Sequence, residues 1–140
     1  MPYANCYHIE NALIGLYRLD QPEWERIARL DDMDKGSFKD VMARYVLPSI
    51  KELTPLGRSL LKESLRYCLI VRPAEVRRMM DNMQDSPVGG MDDPYPMFEA
   101  LWEVAFPDEP YAATDVSAYV EDHDMGTGNE IFAPEGGWKP

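Results

Sequence analysis

Two histidines, two cysteines and twenty-five carboxylates are the side chains of this sequence with the widest chemical reach. Cys6 and His8 stand two residues apart, and on a helix they project about 200° from one another, so they do not converge on one metal ion unaided. His123 sits between Asp122 and Asp124. That triplet reads as a solvated loop, because structural and catalytic metal sites use three or four placed ligands. Asp122, Asp124 and Gly126 also mimic the opening of a calcium loop. Thr127 then stands where such a loop needs glycine, and Ala133 where a bidentate glutamate closes it.

Nucleophilic catalysis finds no Gly-x-Ser-x-Gly elbow, and no glycine-rich loop joins a strand to a helix for a nucleotide phosphate. The carboxylate pairs Asp92/Asp93 and Asp108/Glu109 have the chemistry for acid–base work, although such pairs more often lie in solvated loops. No catalytic, cofactor-binding or metal-binding residue is assigned, and the expectation is a protein that acts by binding rather than as an enzyme.

Charge is sorted along the chain. Residues 1–40 carry five Lys/Arg against eight Asp/Glu, residues 41–80 eight against three, and residues 81–140 only Lys139 against fourteen, for a formal net charge of −11. A net charge of that sign repels nucleic acid before contact, so Arg58, Lys62 and Arg66, with Arg72, Arg77 and Arg78, read as pairing with the acidic third of the same chain. The acidic third also carries Tyr95, Phe98, Trp102, Tyr111, Tyr119 and Trp138. Aromatics beside charge are what binding hot spots use.

The elements that must position these groups are helical. Cys6, Ile9, Leu13, Leu16 and Tyr17 share one face of a first helix ending near Asp20. Asp20, Pro22 and Glu23 open a second with Trp24, Ile27 and Ala28 inward. A weaker start at Ser37 opens a third, with Val41, Met42, Tyr45 and Val46 inward until Pro48 interrupts it. Thr54-Pro55 opens a fourth to about Val71. Leu56, Leu60, Leu61, Leu65, Tyr67, Cys68, Leu69 and Val71 make that helix apolar over most of its circumference, which suits the middle of a bundle. Pro73 begins a fifth with Val76, Met79, Met80 and Met83 inward. Pro96 begins another with Phe98, Leu101, Trp102 and Ala105, and a short helix near Val116, Tyr119 and Val120 follows. Cys6 and Cys68 could in principle pair, but both fall on apolar stripes and read as small, reduced core residues rather than as a disulfide.

No segment alternates long enough for a convincing strand. The expected fold is therefore an all-α, single-domain bundle of about six or seven helices spanning residues 1–140. Residues 1–83 form its helical core. Residues 84–140 form an acidic, Pro/Gly-rich third with one or two helices and a tail anchored by Ile131, Phe132 and Trp138. The start of the chain lacks a basic stretch followed by an apolar one, and no apolar run approaches twenty residues, so a cytoplasmic protein outside the membrane is expected.

The function expected from this pattern is an acidic protein-binding module, a stoichiometric inhibitor of a basic or nucleic-acid-handling partner of the immunity, antitoxin or phage anti-defence type. Asp92, Asp93, Trp102, Asp108, Glu109, Tyr119, Glu121, Asp122 and Asp124 are the candidate partner-binding residues, with Trp102 and Tyr119 as aromatic anchors. The alternatives are a small enzyme whose site is assembled from distant residues, and a helical nucleic-acid binder using the basic row.

Overall fold

The computed structural model describes residues 3–30, 35–88, 91, 93–113 and 119–121. Asn5 begins the helical part by turning the chain and tying it to the middle of the sequence. Its Oδ1 accepts from the Tyr7 amide at 2.9 Å, and its own amide donates to the buried Ser64 hydroxyl at 3.1 Å. Helix α1 (Tyr7–Ala12) then runs on as a 3-10 helix over Leu13–Arg18. Cys6, Ile9, Leu13 and Leu16 are buried, whereas Tyr17 is 42% exposed. The tighter winding of a 3-10 helix rotates later residues off the stripe that a 3.6-residue period would align.

Helix α2 (Gln21–Ala28) has the predicted cap, with the Asp20 carboxylate accepting from the Glu23 amide at 3.0 Å. The following run comprises α3 (Lys35–Val41), a π-helical segment (Met42–Val46) and α4 (Leu47–Lys51). Pro48 therefore does not end the helix, as the sequence suggested. Proline lacks the amide that would bond one turn back and crowds the carbonyl there, and the wider π turn immediately before α4 accommodates both defects.

That segment sits against Gly15. A β-carbon built on Gly15 would lie 3.2 Å from the Tyr45 carbonyl carbon and closer still to its oxygen. Only a residue without a side chain allows the two backbones to approach this closely.

Helix α5 (Pro55–Val71) is the axis of the molecule. Thr54 Oγ1 accepts from the Gly57 amide at 3.0 Å, the cap that Thr-Pro predicts. Leu61, Leu65, Cys68 and Leu69 are buried, and α1 and α7 (Tyr95–Ala105) both pack on this helix. The predicted apolar arc is too wide at its ends: Leu56 is 64% exposed and Val71 also faces outward. Arg72 ends α5 in the left-handed region, at φ 52°, with its guanidinium 4.3 Å from the centre of the Tyr95 ring.

Helix α6 (Glu75–Asn82) buries Val76, Met79 and Met80 and is followed by buried Met83, so the methionine stripe is core. Helix α7 also packs along α3, where Lys35 Nζ lies 2.9 Å from Glu103 and 3.3 Å from Glu99.

The fold is all-helical apart from one pairing that the sequence did not announce. Strand β1 (Tyr3–Ala4) lies parallel to β2 (Val120–Glu121), with Tyr3 opposite Val120 and Ala4 opposite Glu121. This replaces the predicted helix around Val120; two-residue strands are too short to show alternation. Residues 114–118 and the tail bearing Ile131, Phe132 and Trp138 lie outside the described residues. Among the described residues, no helix is long and apolar enough to cross a membrane.

Gly15→Ala is expected to destabilise the fold by roughly 1–3 kcal/mol, because the new methyl meets backbone rather than a movable side chain. Chemical denaturation measures it, with Gly36→Ala on the exposed part of α3 as the comparison. The same methyl there should leave stability unchanged or raise it slightly.

Candidate functional site

The segment between α7 and the 3-10 helix at Tyr111–Ala113 is where the predicted site residues gather. Phe106-Pro-Asp-Glu-Pro-Tyr111 folds back over α7 by main-chain bonds. The Phe106 amide donates to the Trp102 carbonyl at 2.7 Å, and the Glu109 amide to the Phe106 carbonyl at 3.4 Å. The Trp102 indole Nε1 donates to the Glu109 carbonyl at 2.6 Å. Trp102 is 2% exposed and belongs to the core, so its ring is not itself presented at the surface. Its position on the apolar stripe of α7 with Phe98 and Leu101 is the physical reason.

Around it lies a groove of about 610 Å3. Phe106 and Tyr111 form its aromatic wall, their rings 5.0 and 6.0 Å from that of Trp102. Glu103 and exposed Asp108 stand on its rim, with Lys39 on the α3 side. Phe106 was missed from the sequence, and Tyr111 was noted only as an aromatic. The signal for both was their position flanking the Pro-Asp-Glu-Pro stretch.

Glu109 turns the other way, onto the basic row of α5. Its Oε2 lies 2.6 Å from Lys62 Nζ, and its Oε1 accepts from Arg66 Nη2. Arg66 is 4% exposed. Its Nη1 reaches both oxygens of Glu63 at 3.0 and 3.2 Å, and its guanidinium carbon lies 5.2 Å from the centre of the Trp102 ring. Tyr119 closes the network: its hydroxyl donates to Glu63, and its ring stacks on Tyr67 at 5.8 Å. The Lys62 and Arg66 bonds hold the Glu109 carboxyl below the usual carboxylate range, against a smaller opposing effect of burial.

The other candidates are dispersed. Asp93 accepts from the Tyr95 amide at 3.1 Å and lines a separate cleft with Arg72 and Arg77. Glu121 is in β2, while Asp92, Asp122, Asp124 and His123 lie outside the described residues. His8 is buried beside the core, and among the described residues no three His, Cys, Asp or Glu side chains converge as a metal-ligand set.

Protein-family models, curated proteins and solved structures contain no match to this chain. The groove offers apolar contact area with the exposed Asp108 carboxylate and the Lys39–Glu103 pair along it, and its wall is tied to a buried cation.

Two outcomes follow from the network. Because the folded-state pKa of Glu109 is depressed, its stabilisation is present above its ordinary 4.5 and is lost as pH falls through the lowered value. Glu109→Gln should flatten the stability–pH profile in that acidic window. Because the side chain is 42% exposed, solvent screening limits the effect to under about 1 kcal/mol. Arg66→Ala should cost more, roughly 3 kcal/mol, and Arg66→Lys should not restore it, because one ammonium replaces neither the two-sided fork nor the stack on Trp102. Thermal and urea melts of the three variants from pH 7 to pH 3 test both.

Proposed function

We propose that this chain is an acidic protein-binding module that acts as a stoichiometric inhibitor of a basic, nucleic-acid-handling protein, and that the Phe106–Tyr111 groove is its contact surface. The observation that carries this reading is the combination of an aromatic wall, Phe106 and Tyr111, with the exposed Asp108 carboxylate beside it on a chain of net charge −11. Partly buried aromatic rings supply contact area at low entropic cost, and surrounding carboxylates steer a basic partner into register. The wall is held before any partner arrives, by the Trp102 indole and by Glu109 on Lys62 and Arg66. A surface organised in advance loses less freedom on binding.

The occupied state of the basic row weighs against a nucleic-acid binder. Lys62 and Arg66 already hold carboxylates, and phosphate would have to displace Glu109 and Glu63. Reversing the row to glutamate would test folding rather than binding, because Arg66 is buried.

Affinity capture from a lysate of the native source, at low and high salt, should return a basic protein whose retention falls with salt. Co-purifying nucleic acid that resists salt would refute the proposal. With the partner in hand, Asp108→Asn should slow association and flatten its salt dependence, since attraction between charges is screened over about 8 Å at physiological ionic strength. Tyr111→Ala should instead speed dissociation, at a cost on the order of 2 kcal/mol. Stopped-flow kinetics, alongside thermal melts that establish folding, separate these effects; unaltered rates in folded variants would exclude the groove.

A further inference from the structure

The groove network leaves one pair of reactive side chains unused. Cys6 lies at the entry to α1 and Cys68 in the last turns of α5, 62 residues apart in sequence, yet their Sγ atoms are 2.8 Å apart in the buried core. The apolar stripes predict burial of each cysteine separately. They do not predict that the stripes meet at sulfur.

We propose that Cys6 and Cys68 are a disulfide-forming pair, oxidised by a small-molecule disulfide of the glutathione type. A thiolate of the pair attacks one sulfur of that disulfide, forming a mixed disulfide and releasing the first small thiol. The second cysteine, as thiolate, attacks the protein sulfur of the mixed disulfide and releases the second small thiol. Two protein thiols are oxidised to one disulfide, and one small-molecule disulfide is reduced to two thiols that receive the two protons.

The surroundings favour this pairing over two independent thiols. The gap between the sulfurs exceeds a disulfide bond by only about 0.8 Å, a distance within reach of side-chain rotation. The backbone is already held in place: the Asn5 amide bonds to Ser64 on α5 at 3.1 Å, one residue before Cys6 and one helical turn before Cys68. Tyr95 lines the cleft of about 260 Å3 at the α5–α6 corner. Its hydroxyl is pushed up to about 12, chiefly by burial and next by Cys68.

The crosslink would bind the N-terminal segment to the central helix. β1 ends two residues before Cys6 and pairs with β2, so the same bond would also fix the strand on which Val120–Glu121 is paired. Cys6 is buried, so the reagent reaches it only when the N-terminal segment, packed on α5 and held by the β1–β2 pairing and the Asn5–Ser64 bond, opens.

The test uses the full chain equilibrated with graded ratios of oxidised to reduced glutathione, both in the native state and during refolding from denaturant. Acid quenching, alkylation under denaturing conditions and intact mass follow. The expected product is a monomer lacking two hydrogens, with a Cys6–Cys68 crosslinked peptide on digestion. Its thermal midpoint should exceed that of the reduced protein by on the order of 10 °C. Cys6→Ser and Cys68→Ser should each abolish both the mass loss and the redox-dependent shift, while melting near the reduced wild type. Two fully alkylated cysteines at the most oxidising ratio in both arms would overturn the proposal, as would crosslinks found only between chains. Refolding is included because a native core closed to the reagent would block the reaction in the first arm without blocking it in the second.

Discussion

A guanidinium taken out of water must be surrounded by carboxylates, and much of the C-terminal side of this protein is arranged around that requirement. Arg66 points from α5 into a space closed by Trp102, Glu63 and Glu109. An isolated buried cation would be prohibitive, whereas one held by two carboxylates and an aromatic face is tolerable and fixes geometry. Glu109 can reach Arg66 only if the chain doubles back after α7, and the Trp102 indole holds the Glu109 carbonyl in that turn. Glu63, fixed from below by Arg66, is then available to the Tyr119 hydroxyl. Three stretches distant in sequence are therefore organised by one side chain. The groove beside Phe106 is the outer surface of that arrangement.

A second constraint operates where two backbones touch. The 3-10 winding of Leu13–Arg18 presents Gly15, and the π winding of Met42–Val46 presents the Tyr45 carbonyl. Both are departures from regular α-helix, and each changes the rotation per residue so that side chains leave the stripe a regular helix would give them. Tyr45 uses its position to donate its hydroxyl to Glu23, which also holds Arg26 at 3.2 Å and is kept ionised to lower pH first by the Tyr45 bond and then by Arg26. Irregular helix geometry thus joins α2, the 3-10 turn and the α3–α4 run.

Sorting of charge along the chain and pairing of charge in space are related but not identical. Lys62 and Arg66 of the basic middle meet Glu109 of the acidic third, while Lys35 and Lys39, from the acidic first part, meet Glu99 and Glu103. Intramolecular neutralisation across elements therefore draws on Glu99, Glu103 and Glu109, carboxylates of α7 and its following loop. Asp108 remains exposed between them. The surplus negative charge is what a cationic partner would meet, and the paired carboxylates are what hold the surface in shape.

Local chemistry was legible in the sequence where a cap or the middle of an apolar stripe acts on its immediate neighbours, and less so at Pro48 and at stripe ends such as Tyr17 and Leu56. Asp20 and Thr54 cap the helices they were expected to cap, α5 ends at Val71, and the methionine stripe of α6 is buried, because caps and stripes depend on separations of three or four residues. The all-helical class followed from the same periodicity. Three things had to wait for the tertiary structure. Trp102 and Phe106 sit four residues apart on and just beyond one helix, yet one is core and the other forms the groove wall, because α7 is covered from one side by α3 and α5. The parallel contact of Tyr3–Ala4 with Val120–Glu121 joins segments more than a hundred residues apart and is too short to leave a pattern. Cys6 and Cys68 each satisfied an apolar stripe independently. Which stripes face one another is decided by how helices cross, and crossing depends on long-range packing that no local spacing encodes.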